Sequence, residues 1–160
     1  MPLNDKLAFK LTVSELPSVS QQDMDALLDY LVNALGLASN RSNAVLARQL
    51  LRLFMLASEK KNGFIDSGIQ ELEVIDSGLR ANDILNWLKA HETGIGASQL
   101  YNNYLNAFIK AGLIVKRKHS AYGLKAESFY ATLKETELNL NKEFNKVLEH
   151  AKKLDVFFKK

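Results

Sequence analysis

A glycine set between a helical pattern and a basic, β-prone run does most to limit what this chain can fold into. The stretch is Ser98 to Lys125, SQLYNNYLNAFIKAGLIVKRKHSAYGLK. Ser98 can cap a helix through its hydroxyl, and Gly112 can take the left-handed conformation that ends one. A helix is therefore expected from about Gln99 to Ala111. At about 100° per residue, Tyr101, Tyr104, Leu105 and Phe108 share an inward face, and Gln99, Asn102, Asn103, Asn106 and Lys110 lie opposite. Beyond Gly112, Leu113-Ile114-Val115 is apolar and Lys116-Arg117-Lys118-His119 is basic. The return through Tyr122-Gly123-Leu124-Lys125 completes an expected hairpin over 113–125.

The outward face of that helix is amides and one lysine. Asn is a poor helix former because its side chain competes for backbone hydrogen bonds, so three of them on a solvent face need another reason to be there. Asn and Gln can bond adenine N6 and N7, Ser can bond to several base edges, and Lys can reach guanine or phosphate. Ser98, Gln99, Asn102, Asn103 and Asn106 are thus candidates for reading bases in the major groove. Between Thr93 and Ala126 there is no Asp or Glu. Lys110, Lys116, Arg117, Lys118 and Lys125, with His119 at the hairpin tip, form the matching candidate footprint on phosphates.

A helix carrying Tyr101, Leu105 and Phe108, then Ala-Gly-Leu-Ile and a basic hairpin, resembles the winged helix-turn-helix superfamily over roughly residues 43 to 130. The resemblance implies a mainly α fold with a small β-hairpin wing. It also implies a recognition helix, residues 98–111, that enters the major groove, and a wing, 113–125, that touches backbone or minor groove. The same fold also serves as a protein–protein interaction module without DNA binding.

Composition narrows the field further. At 160 residues the chain can bury a substantial core as one domain or two small ones. It contains no cysteine, which excludes disulfides, thiolate zinc sites and cysteine nucleophiles. No window reaches the roughly 18 apolar residues of a membrane span, and no leader pattern opens the sequence, so a cytoplasmic protein without membrane contact is expected. The net charge of +3 is uneven: residues 1–79 carry 7 cations and 10 acids, 80–130 carry 7 and 3, and 131–160 carry 7 and 5. Positive charge collects where the recognition unit lies.

Along the chain, Leu7, Phe9, Leu11 and Val13 alternate with polar residues as in a half-buried strand. Ser20-Gln21-Gln22-Asp23 resembles a capping box, so a helix is expected from near Gln21, with Met24, Leu27, Leu28, Leu31, Val32 and Leu35 as its stripe and Gly36 as its stop. Val45, Leu46, Leu50, Leu53, Phe54 and Ala57 mark a second helix, with Arg41, Arg48 and Arg52 on a solvated face. The strand, the helix and Asn40-Arg41-Ser42-Asn43-Ala44-Val45 together resemble ribbon-helix-helix repressors, at a longer spacing. That spacing is too long for a close match, and a covering strand with dimerisation helices is the reading adopted.

Phe64-Ile65-Asp66-Ser67-Gly68 and Val74-Ile75-Asp76-Ser77-Gly78 form a near-repeat of two turns, with Gly at positive φ. Ile84, Leu85, Trp87 and Leu88 mark the helix that positions the reader, and Thr93-Gly94-Ile95-Gly96-Ala97 is the corner between them. Phe129, Tyr130 and Leu133 pack against the winged unit. Leu140, Phe144, Val147, Leu148, Ala151, Leu154 and Phe158 then repeat along a C-terminal helix whose stripe suits a homodimer, since a symmetric pair presents two reading helices to two half-sites.

His91, His119 and His150 lack metal-ligand spacing, and no nucleophile context is present, so neither an enzyme nor a cofactor is expected. The expected organisation is an N-terminal strand and two helices over 1–62, a winged-helix core over 63–130 and a C-terminal helix over 131–160. The expected function is sequence-specific binding of double-stranded DNA by a homodimer, as a transcriptional regulator or a replication or partition factor.

Overall fold

The computed structural model describes residues 23–38, 43–91 and 93–159. The expected strand at 6–13, the capping box at Ser20 and Arg41 lie outside them. The first described helix, α1 (Met24–Ala34), starts later than Gln21, because Asp23 is its cap and accepts from the Ala26 N–H at 3.0 Å. Leu28, Val32 and Leu35 are buried, whereas Met24 and Leu27 of the expected stripe are exposed.

Helix α2 (Ala44–Ser58) begins at Asn43, whose side chain accepts from the Val45 and Leu46 amides. Leu46, Leu50, Leu53, Phe54 and Ala57 are buried at the helical spacing. Arg48 is not part of a free solvated face. It pairs with Asp29 of α1 at 3.0 Å, while Arg52 is exposed.

The near-repeat builds strands as well as turns. β1 (Gly63–Asp66) pairs antiparallel with β2 (Glu71–Val74), burying Ile65, Leu72 and Val74 by alternation. Gly68 has positive φ as expected, but in the second copy Asp76 and Ser77 take the left-handed conformation and Gly78 does not. Gly78 answers a different need: a Cβ there would lie 2.7 Å from the Tyr122 carbonyl oxygen, so a side chain would push the turn off the sheet.

A two-residue strand, β3 (Leu79–Arg80), leads into α3 (Ala81–Ala90). Helix α4 covers 97–110, and a hairpin follows, β4 (Ile114–Lys116) and β5 (Ala121–Leu124). β5 lies in the middle of an antiparallel sheet of order β3-β5-β4, with Leu79 opposite Tyr122 and Ile114 opposite Leu124. The long helix α5 (Phe129–Phe158) starts from Ser128, which caps the Ala131 amide at 3.0 Å. It is continuous through 130/131, where the sequence suggested a division.

Among the described residues the chain is thus five helices with two small antiparallel sheets. One buried cluster runs from Leu28 of α1 to Leu124 of β5, and elements on both sides of 62/63 contribute to it. Phe54 of α2 and Phe108 of α4 meet at its centre with ring centroids 5.8 Å apart. Burying each such ring contributes roughly 1.5 to 3 kcal/mol, and the pair is one of the contacts that join α2 to α4.

Candidate nucleic-acid interface

Helix α4 is the element that carries the candidate readers, and its start differs from the sequence expectation. The helix begins at Ala97, so Ser98 lies inside the first turn. Gly96 is the cap, and the Gln99 side-chain oxygen accepts its N–H at 3.2 Å. At the other end Gly112, at φ 75°, closes the helix: its N–H donates to the Ile109 carbonyl and that of Leu113 to Phe108.

Between those ends, residues Leu100–Leu105 form a wide π turn in which the Asn106 N–H reaches back five residues to Tyr101. One extra residue per turn shifts the phase of everything before it by about 100°. Leu100 therefore takes the inward place that simple periodicity gave to Tyr101. Leu100, Tyr104, Leu105 and Phe108 are buried, and Tyr101 stands 49% exposed.

The outward side of α4 consequently presents Ser98, Gln99, Tyr101, Asn102 and Lys110, with Asn103 and Asn106 half-buried at its margin. Asn102 donates to the Ser98 hydroxyl at 3.2 Å, so these two side chains form a prearranged polar pair one turn apart. The π turn was not legible in LYNNYL, and it is what brings Tyr101 onto this surface.

The hairpin supplies charge. Lys116, Lys118, His119 and Lys125 are exposed, and among the described residues no carboxylate lies within ion-pair reach of Lys110, Lys116, Lys118 or Lys125. His119 and Ser120 at the tip both have positive φ, near 60°.

Arg117 departs from its expected place among the phosphate-facing cations. Its backbone N–H donates to the Ala121 carbonyl at 2.6 Å, and its guanidinium folds back to donate to the Leu124 carbonyl. The side chain passes over Gly123, where an added Cβ would lie 2.9 Å from Nε and 2.7 Å from the Ser77 carbonyl oxygen. Arg117 therefore ties the two hairpin strands to each other, and the glycine makes room for it.

Tyr104 was legible as an inward residue but not as a polar link. Its hydroxyl accepts the Asn43 N–H at 2.8 Å, joining the middle of α4 to the cap of α2. A second feature without a sequence signal is an open recess of about 120 Å³ lined by Gln49, Arg52, Ser67 and Ile69 together with Trp87 and His91. Trp87 Nε1 and His91 Nε2 have no hydrogen-bond partner among the described residues, although the two rings meet edge to face at 4.2 Å.

Among the described residues no group of three or more His, Asp or Glu is placed to hold a metal ion, and no helix is long and apolar enough to cross a membrane. Compared with protein families, curated proteins and solved structures, the chain gives no match.

Proposed function

We propose that this chain is a winged-helix protein that binds double-stranded DNA as a homodimer, with α4 in the major groove and the β4–β5 hairpin, as the wing, against the backbone. It acts as a transcriptional regulator or as a replication or partition factor. The observation that carries the reading is the coupling of an exposed amide-bearing helix to a hairpin whose lysines have no carboxylate within reach among the described residues. The order of elements supports it: α3, α4 and a hairpin follow β3, and β5 pairs with both β3 and β4.

The division of labour follows from chemistry. Asn102 and the flanking Ser98 and Gln99 offer donors and acceptors to base edges, and Lys110, Lys116, Lys118 and Lys125 neutralise phosphates. Asn103 and Asn106 contribute from the margin of that face, and His119 from the wing tip. Selection of bound fragments from a random duplex pool tests this directly. A recurring motif with two-fold symmetry is expected, and recovery no better than that of the unselected pool would overturn sequence-specific binding.

A protein-interaction module is the second reading, and one observation favours it. The Gln99 and Asn102 side chains are already engaged within α4, which lowers their freedom to meet bases.

A further inference from the structure

Beyond its docked start, α5 is left unpacked by the rest of the described residues. Thr132 and Thr136 are buried, with Thr132 Oγ1 accepting the Ala126 N–H at 3.1 Å, so the start of the helix is docked. From Leu140 to Lys159 every residue is exposed: Phe144 and Val147 are each 60% exposed and Phe158 82%. Most helical stability in proteins comes from burying an apolar face, and over this stretch the described residues bury none of it.

The spacing of that face specifies its partner. Leu140, Phe144, Val147, Ala151, Leu154 and Phe158 follow one another at alternating steps of four and three, the seam of a two-helix coiled coil. The same steps run backward to Glu137 and Leu133. In a parallel pair, equivalent residues meet, so Glu137 would face its own copy across the seam, and Phe144 would stack on Phe144 while Ala151 left a gap against Ala151. In an antiparallel pair centred between Asn145 and Lys146, large meets small: Leu140 sits against the partner's Ala151, and Phe144 against the partner's Val147. One flank also becomes complementary, Lys134 facing the partner's Asp155, a pair that occurs twice by symmetry.

We infer that α5 is the dimer interface and that, beyond its docked start, it pairs antiparallel with a second copy of this chain over residues 137–154. This deepens the homodimer part of the proposed function and is independent of whether the protein reads DNA. Side-chain size and charge set the direction, and the seam covers the apolar face that the described residues leave exposed.

The full chain serves for the test, and its lack of cysteine allows single spin labels to be placed at will. Light scattering should give about twice the 18.0 kDa chain mass, and Val147→Glu, at an exposed position that leaves the fold untouched, should return the monomer. Labels at Lys142→Cys and Glu135→Cys lie on the outer face of the helix. At about 1.5 Å rise per residue, antiparallel pairing offsets the two copies along the axis by about 10 Å at 142 and about 31 Å at 135. A clearly longer inter-label distance at 135 than at 142 is expected. Equal distances in a dimer would overturn the antiparallel arrangement and leave the homodimer standing. A monomeric mass would overturn both, and DNA binding by such a monomer would show that the reading of α4 stands apart.

Discussion

The backbone N–H of Asn43 donates to the Tyr104 hydroxyl at 2.8 Å, across 61 positions of sequence. The bond anchors the element proposed to enter the groove to the start of the helix beneath it. Tyr104→Phe keeps the ring and removes the acceptor, leaving a partly buried donor without a protein partner. A loss of about 1 to 3 kcal/mol is expected, or a fall of several degrees in Tm, at roughly 2 to 4 °C per kcal/mol for a chain of this size. An unchanged melting curve would mean that the bond contributes nothing.

Base reading is assigned to the outer side of α4, so Asn102→Ala combined with Asn106→Ala should relax sequence preference. Each lost base contact should cost about 1 to 3 kcal/mol in binding to the preferred site, with little change in thermal stability. Most of the effect should come from Asn102, which is exposed, whereas Asn106 is half-buried. Unaltered affinity for the preferred duplex would remove α4 as the reader.

The wing separates into two kinds of cation. Replacing Lys116 and Lys118 by Ala should lower the slope of log K against log salt by up to about 2, with the ratio of specific to non-specific binding preserved. Arg117→Ala should act mainly on stability, because it releases the Leu124 carbonyl and opens the space above Gly123. Were Arg117→Ala to lower the salt slope while leaving Tm unchanged, its guanidinium would be a phosphate contact after all.

Periodicity made α2 and α3 legible, because their buried residues recur at helical spacing regardless of what they pack against, and it made the length of α5 legible from a stripe that is exposed. The Gly112 stop was equally visible, since few residues other than glycine tolerate φ 75°. Two features of the candidate site were hidden for physical reasons. The π turn depends on tertiary packing of Leu100, which no local pattern in Gln99-Leu100-Tyr101 announces. Arg117 reads as one more cation in Lys-Arg-Lys until Gly123 is brought beside it by strand pairing, and charge patterning cannot see that partner. Strands β1 and β2 were hidden behind the turns that join them, whose Asp-Ser-Gly chemistry is the stronger local signal.

Equilibrium binding of the intact protein to duplex DNA across a salt series bears most directly on the central claim. Four exposed lysines without carboxylate partners among the described residues, Lys110, Lys116, Lys118 and Lys125, predict a log K that falls linearly with log salt, with a slope of about −3.6 per protomer if each neutralises one phosphate. Affinity for duplex that is absent at low salt, or that does not vary with salt, would contradict the account and favour a protein partner for the same surface.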